Sequence, residues 1–432
     1  MNTAKLPDNI SEKYRSSNGQ DLDLSSYYER AAGSLVVDPR KAQLVFGEDI
    51  SSALKLSEDG KFVLWPQPTD DPADPQNWNT RRKSLQLAII TLTAIVPEFD
   101  IGIGVASLFW ALLCNGIGGI FAIILSRRIG RLPVLFWLLI GCTLAHSLVS
   151  FSVMRSLTAF CAACPHVTGL LVINDMCTFH LKARKVCGHS VIISSFLSPF
   201  ILGFLVPTGG WAYTVGVIYS SLILCLITVF GRETRFERSI PSSVLPRRLS
   251  MKFDVSTLLG LSEKGVLFSF AIGMNVTTSV LLGEKPPLGY SYGQYAISGI
   301  YATPVISSLA GHWIAGYLND FIVNSIIRRN QGVFEAESRL WMYYFAVLIY
   351  VVGLFKLLVA VVIIGWAMRQ VAVALNTVAV YAYANDCFPK YNGEVSGLMS
   401  LFRALAGFSM AYIQAGWVNE KGALQAFGCE AS

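Results

Sequence analysis

After residue 83 the hydrophobic positions of this chain form long, nearly uncharged runs separated by short polar segments. A lipid hydrocarbon core about 30 Å thick is crossed by about 20 residues of apolar helix, and only helices or closed barrels satisfy their backbone polar groups there. The runs of suitable length are Ile101 to Leu125, Val134 to Val153, Ser156 to Ile173, Gly188 to Val206, Tyr213 to Phe230, Gly265 to Gly283, Tyr295 to Leu318 and Val395 to Ile413. We therefore predict an all-α, polytopic membrane protein.

Two further stretches of the chain have a less regular hydrophobic pattern. A first span begins at Ser84, but a proline and two acidic residues interrupt it after Val96, which predicts a short helix. The stretch Trp341 to Ala384 is long enough for two spans, yet it shows no clear loop between them. With these two places included, the pattern predicts ten to eleven spans.

The polar segments divide the chain into four parts. Residues 1–83 have few apolar positions at any regular period, which is typical of a largely disordered tail. Residues 231–264 form a basic, proline-containing linker between two membrane regions of similar size, residues 84–230 and 265–432. Two helical bundles joined by one long linker are typical of transporters with internal repeats that rock around a central site.

Lysine and arginine residues mark one side of the membrane. They occur in alternate connections, and the opposite connections hold almost none apart from Lys285 and Lys421. Because basic residues resist translocation, the connections rich in them are expected to stay in the cytosol. This alternation predicts a cytosolic N-terminus, and it supports the parity of the spans independently of hydropathy.

Composition agrees with lipid as the solvent, since 53% of the residues are hydrophobic, only 14% are charged and the mean hydropathy is +0.50. The net charge of +6 is not gathered in one patch, so nucleic acid is not an expected partner. The five histidines show no paired metal-ligand spacing, and no nucleophile elbow is present. We therefore expect neither an enzyme nor a bound metal or other cofactor.

An ordered motif precedes the first span, and a composition bias alone does not explain it. It consists of Pro66-Gln67-Pro68, Asp70-Asp71-Pro72, Asp74-Pro75 and Asn77-Trp78, followed by Arg82-Lys83. Later motifs in the same order are Gly130-Arg131, Arg155, Ser198-Pro199 with Gly203, Glu233-Thr234-Arg235, Gly316 to Asp320, Arg339-Leu340-Trp341 and Asp386. In these motifs the chain resembles fungal transporters of the major facilitator superfamily, and it is similar to their drug:proton antiporter branch.

The resemblance implies both a fold and a function. The fold would be two six-helix bundles around a central cavity, here with fewer spans because the chain stops at Ser432, where a twelfth span would begin. The function would be transport of a small organic solute by alternating access, coupled to protons. The protein would be a monomer in the plasma membrane.

The resemblance also implies residues for gating. The loop after the second span keeps Gly130 and Arg131, but Arg127 stands where the family has an acidic residue. The matching loop of the second half keeps Gly316 and Asp320. Arginines in such a loop can pair with carboxylates on a neighbouring helix and so latch the inner gate. The alternative for Arg127 is a basic loop that only fixes topology.

Four further residues are candidates for gating or proton coupling. By resemblance, Arg155 is the arginine of the fourth-span motif associated with proton transfer; the alternative is an arginine that snorkels to the outer interface. Pro199 and Gly203 keep part of the family's antiporter motif, and they equally suit simple helix packing. Asp386 closes a later span, where a structural ion pair is the ordinary interpretation.

Polar residues inside the spans are candidates for the substrate path. We name Asn275, Thr277 and Asn376, together with Arg403, for which Glu394 or Asp386 is the expected partner. Hydrogen bonding between helices is the alternative role for such residues.

A different functional class stays open. A short first span, a compressed region from Trp341 to Ala384 and a missing last span also suit a non-transporting relative, either a sensor or the inactive product of a damaged gene. A transport assay in vesicles distinguishes the two.

Overall fold

The computed structural model describes residues 34–57, 59–102, 108–145, 151–176, 192–205, 212–236, 282–283, 290–354, 359–388 and 392–421. Helices dominate these residues, and their two strands have three residues each. Residues 1–33, most of the predicted linker and most of the predicted span Gly265 to Gly283 lie outside the described residues.

The elements fall into three groups along the chain. Before the membrane region lie strand β1 (Ser34–Val36) and helices α1 (Pro39–Phe46) and α2 (Glu48–Ala53). The N-terminal bundle contains α3 (Thr80–Gly102), α4 (Leu108–Ile129), α5 (Arg131–Ala145), α6 (Phe151–Met176), α7 (Ile192–Leu205) and α8 (Ala212–Phe230). The C-terminal bundle contains α9 (Gln294–Ile300), α10 (Ala302–Arg329), strand β2 (Val333–Glu335), a 3-10 turn (Ala336–Leu340), α11 (Trp341–Leu354), α12 (Val359–Cys387) and α13 (Asn392–Lys421).

The outer surface of the helices is apolar. Within the described residues, three helical segments are long and apolar enough to cross a membrane, namely Trp110–Ile129, Val153–Met176 and Ile363–Cys387. Large apolar side chains point outward from several helices, among them Trp110, Trp137, Trp313, Phe321 and Leu348. Such a surface is unfavourable in water and favourable against lipid tails.

The two stretches with a less regular hydrophobic pattern, which begin at Ser84 and Trp341, are both helical. Helix α3 continues through Pro97 to Gly102, so the prediction of a short first helix is wrong. A membrane helix tolerates an internal proline where neighbouring helices, Ser or Thr side chains or a local 3-10 turn satisfy the carbonyl that the proline leaves unpaired. The stretch Trp341 to Ala384 separates into α11 and α12, as its length allowed.

Residues 34–65, which we call the cap, are folded against the C-terminal bundle. Strand β1 pairs antiparallel with β2, and Leu35 lies opposite Phe334. The Trp65 side chain is fully buried, and its indole N–H donates to the Val36 carbonyl at 2.9 Å. The prediction that residues 1–83 are largely disordered is therefore wrong for this segment. Its scattered apolar residues show no period, and they are buried because they meet α10 and β2.

Among the described residues, two of the helix crossings between the bundles bring the helix backbones especially close. Helix α4 packs on α13 so closely that a Cβ on Gly116 would lie 2.6 Å from the Ala404 Cβ. Helix α7 packs on α9 where Gly203 adjoins Ser298. Small residues are required at both crossings because a larger side chain would hold the backbones apart.

Candidate functional site

The ends of α4, α6, α8 and α12 and the beginnings of α5 and α13 lie at one face, which we call the basic face. Arg131 at the start of α5 pairs with Asp175 near the end of α6. Arg127 near the end of α4 pairs with a carboxylate at the start of α13. The described basic connector of the N-terminal bundle therefore lies on the same face as the start of α13 in the C-terminal bundle.

Gly130 makes the turn between α4 and α5. Its φ is +116°, a backbone conformation that residues with a side chain rarely adopt, and a Cβ there would lie 2.9 Å from Glu233 Oε2. The Glu233 carboxylate accepts from the backbone N–H of Arg131 at 3.2 Å and of Leu132 at 3.0 Å. A carboxylate there satisfies amides that the first turn of a helix leaves unpaired, and it complements the positive end of the α5 dipole. The glycine and the acid of two separate motifs therefore build one turn.

The Arg131 side chain adds an ion pair to the same turn. Its guanidinium pairs with Asp175, and the two side chains are 17% and 15% exposed. Asp175 follows directly after an apolar stretch of α6, in a position that the sequence analysis did not name. The pair joins the end of α6 to the beginning of α5 within the N-terminal bundle.

Arg127 joins the two bundles. Its Nη2 donates to Oε2 of Glu394 on α13, and the side chains are 45% and 28% exposed. The arginine that replaces the family's acid thus finds an acid on the opposite bundle. This pair lies at the basic end of the α4–α13 crossing, where parting of the bundles would break it.

The C-terminal bundle holds a buried counterpart of the Arg131 pair. Arg339 Nε donates to Asp386 Oδ2 at 2.6 Å, and its Nη1 donates to Asn319 Oδ1 at 2.7 Å. The side chains of Arg339 and Asp386 are 1% and 2% exposed. The guanidinium also lies 5.4 Å from the ring centre of Phe334 in β2, which covers it from the cap side. Burial of this kind is stable only when the charges are fully hydrogen-bonded.

The other predicted gating residues of the C-terminal bundle lie on α10. Gly316 is buried, and Asp320 is half-buried one residue after Asn319. The Arg339 guanidinium donates to Asn319, which the sequence predicted only as part of the motif from Gly316 to Asp320.

Arg155 lies in the first turns of α6, and it is 4% exposed. A snorkelling arginine would expose its guanidinium at the surface, so this burial favours the interpretation in which the side chain faces the interior of the bundle. Pro199 lies inside α7, which continues past it to Leu205. Gly203 lies at the α7–α9 crossing, near the end of α7 that is distant from the basic face.

Two of the four predicted substrate-path residues are described. Asn376 is 5% exposed, and its Oδ1 has no hydrogen-bond partner among the described residues. Arg403 donates to the hydroxyl of Tyr381 at 2.9 Å, whereas Glu394 and Asp386, the expected partners, pair with Arg127 and Arg339. Asn275 and Thr277 lie outside the described residues.

The helix interiors contain further polar groups that the sequence analysis missed. The Oδ1 of Asn115 on α4 and the Oε1 of Gln370 on α12 are buried without a hydrogen-bond partner among the described residues. A buried amide oxygen without a partner is costly, so such atoms commonly meet water or a ligand. For Asn115 the signal was a lone amide within an apolar run, whereas Gln370 directly follows Arg369.

Two helical bundles in lipid, crossing through small residues and joined by an ion pair at one face, define a polytopic transporter fold. Residues 83–411 match the family model of the Major Facilitator Superfamily, and the chain belongs to this family. The prediction of an all-α polytopic membrane protein of this type is confirmed, and members of this family are transporters rather than enzymes.

The chain is similar to curated fungal proteins along most of its length. It is 22% identical to the MFS-type transporter penM of Penicillium rubens over 81% of each chain. It is 23% identical to the MFS transporter cpaT of Aspergillus oryzae, covering 83% of this chain and 86% of the relative. Among solved structures, the proton:xylose symporter XylE shares the fold with a TM-score of 0.59 and 12% identity, over 82% of this chain and 94% of that one.

Proposed function

We propose that this protein carries a small organic solute across the membrane by alternating access, with proton coupling. The observation that carries the proposal is the Arg127–Glu394 pair, which joins the bundles at the basic face. A partly exposed ion pair stabilises by about 0–1 kcal/mol, so a rocking motion can break and remake it at little cost. The buried pair in the C-terminal bundle would cost far more to break, and it lies within one rigid unit.

The solute path in this proposal lies between the bundles, lined by buried polar atoms. Asn376 and Gln370 on α12 and Asn115 on α4 supply amide oxygens that have no protein partner among the described residues. Arg403 and Tyr381 add a hydrogen-bonded pair between α13 and α12. These groups suit a solute with hydrogen-bond donors in addition to an apolar body.

Proton coupling in this proposal involves Arg155. Its burial in α6 and the resemblance to the drug:proton antiporter branch support this role. The fold neighbour XylE is a proton symporter for xylose, but at 12% identity it supports the fold and not the substrate. We further propose that the basic face is cytosolic, that the protein is a monomer, and that it acts in the plasma membrane.

The test is flux in proteoliposomes that contain the purified chain and an internal pH dye, with ethidium and rhodamine 6G as probe solutes. We expect probe movement that rises with an imposed pH gradient and collapses with a protonophore. Arg155→Ala should lose the gradient dependence, whereas Arg128→Ala, which removes an exposed arginine at the basic face, should keep it. Flux equal to that of empty liposomes would refute the proposal for these solutes and favour the non-transporting relative.

Two of the sequence features that favoured a non-transporting relative do not hold in the structure. The first helix is 23 residues long, and the region from Trp341 to Ala384 contains two helices. The described helices also suffice for the fold, since the chain covers 94% of XylE at a TM-score of 0.59.

A further inference from the structure

The segment between the cap and the first membrane helix connects the two bundles. The cap ends at Trp65, which is buried with residues of α10 and β2 in the C-terminal bundle. Trp78 begins the approach to α3, and it is buried in a cluster with Ile90 of α3 and Val172 of α6 in the N-terminal bundle. Residues Pro66–Asn77, which we call the strap, therefore run from one bundle to the other across the basic face.

The Trp78 end of the strap lies where the bundles meet. Tyr381 of α12 packs against the same cluster, although it belongs to the C-terminal bundle. The guanidinium of Arg82 lies 4.3 Å above the Trp78 ring, and Lys83 Nζ donates to the Gln76 carbonyl at 2.6 Å. These contacts hold the tryptophan and the end of the strap to the start of α3.

Hydrogen bonds within the strap keep it short. Asp74 is fully buried, and its carboxylate accepts from Gln76 N at 3.0 Å and from Thr69 N at 3.0 Å. The Asn77 amide donates to the carbonyls of Thr69 at 2.7 Å and Asp71 at 2.9 Å. The Asp and Asn residues of the sequence motif thus fold the strap back on itself.

The strap would lengthen if its internal hydrogen bonds broke. Fully extended, Pro66–Asn77 would span roughly 40 Å, since each residue adds at most about 3.3–3.6 Å. Its internal hydrogen bonds must break before its ends can move that far apart. Any movement that parts the bundles at the basic face must either lengthen the strap or pull Trp78 out of its cluster.

We propose that the strap is a tether across the basic face, and that it favours the conformation in which this face is closed. The tether works through its two buried tryptophans as anchors, Trp65 on the C-terminal bundle and Trp78 on the N-terminal bundle. The tether rests on the proposed alternating access, because only relative motion of the two bundles puts the strap under tension. The ordered Pro, Asp and Asn pattern before the first span then has a mechanical role.

The test is hydrogen–deuterium exchange of the full chain in lipid nanodiscs without any solute. Two variants are compared with the parent: Trp78→Ala, which removes one anchor, and a short Gly-Ser insertion between Asp71 and Pro72, which keeps both anchors but slackens the strap. The matched control is Trp137→Ala, because Trp137 is 66% exposed on the outer surface of α5.

We expect reciprocal changes in exchange. In both variants, amides at the basic ends of α4 and α13 should exchange about tenfold faster, because the closed conformation loses population. Amides around the Gly203–Ser298 crossing at the other end should exchange more slowly. The Trp137 variant should match the parent at both ends.

Faster exchange confined to the cap and strap, without the reciprocal change, would overturn the proposal and leave the segment a purely structural element. If Trp78→Ala does not fold, the insertion variant decides alone, since both of its anchors are intact. The measurement needs no substrate, so it is separable from the proposed function. Reciprocal exchange without flux refutes transport of the probe solutes, whereas flux without reciprocal exchange refutes the tether.

Discussion

Each bundle carries an arginine–aspartate pair at the basic face, and the two pairs differ in burial. In the N-terminal bundle, Arg131 and Asp175 are 17% and 15% exposed. In the C-terminal bundle, Arg339 and Asp386 are 1% and 2% exposed. The arginine precedes or opens one helix in both cases, and the aspartate lies in the last turns of the next helix.

The cap accounts for the difference. Phe334 of β2 stacks near Arg339, and β1 of the cap pairs with β2, so the C-terminal pair is sealed beneath the N-terminal segment. At the N-terminal pair, Glu233 stabilises the turn through the backbone amides of Arg131 and Leu132. The same residue types therefore serve a fixed internal contact in one bundle and a more accessible one in the other.

The largest effect is expected from removing one partner of the sealed pair. Asp386→Ala should destabilise the protein by about 3–5 kcal/mol, because the Arg339 charge stays buried without its carboxylate. Thermal unfolding in detergent, followed by tryptophan fluorescence, measures this. The double variant Arg339→Met with Asp386→Leu should recover most of the loss, and a single variant no worse than Asp175→Ala would contradict the comparison.

A smaller loss is expected at the turn of the N-terminal bundle. Gly130→Ala should cost about 1–3 kcal/mol, because alanine strains at a φ of +116° and its Cβ crowds Glu233. The same thermal assay applies, with Gly299→Ala as the control, since nothing lies within 4 Å of a Cβ at Gly299. Equal midpoints for the two variants would show that the turn is not strained.

The pair between the bundles should affect conformation more than stability. Arg127→Glu should lower stability by about 1 kcal/mol or less, because the pair is partly exposed, and like charges would then face each other at Glu394. Faster hydrogen exchange at the start of α13 is the expected result. The charge swap Arg127→Glu with Glu394→Arg should restore the parent rate, and failure to restore it would mean that the two side chains do not act as a pair.

The smallest effect is expected at the exposed contact between Lys55 of the cap and Asp70 of the strap. Lys55 Nζ donates to Asp70 at 2.7 Å, and this hydrogen bond holds the pKa of the Asp70 carboxyl below its ordinary value. A lowered pKa stabilises the fold above the ordinary carboxyl pKa, and that contribution is lost as the pH falls through the lowered value. Since the carboxyl is fully exposed, Asp70→Asn should leave the thermal midpoint unchanged at neutral pH. A clear drop there, absent at low pH, would show that the pair matters to the cap.

Pattern and motif predicted the membrane helices well and the contacts only in part. Gly130, Arg131 and Asp386 lie at the basic face, but the sequence did not single out Asp175, and it assigned Glu394 to Arg403 instead of to Arg127. Each is a lone acid near a helix end, and a sequence offers many such residues. Arg127 and Glu394 are 267 positions apart, and no local spacing relates them.

The cap shows the same limit more strongly. Its apolar residues lack a regular period, so the sequence of the cap taken alone predicts disorder. They form a core because β2 and α10, far along the chain, supply the other half of the buried surface.

Long apolar runs alone established that the chain crosses lipid as helices, since such runs have no other stable environment, and charge alternation alone predicted which connectors share a face. Only the packing of the helices determines which side chains are buried and which charged residues pair. Burial depends on what covers a side chain, and pairing depends on which distant helix end comes within hydrogen-bond reach. Neither quantity is a property of a local stretch of sequence.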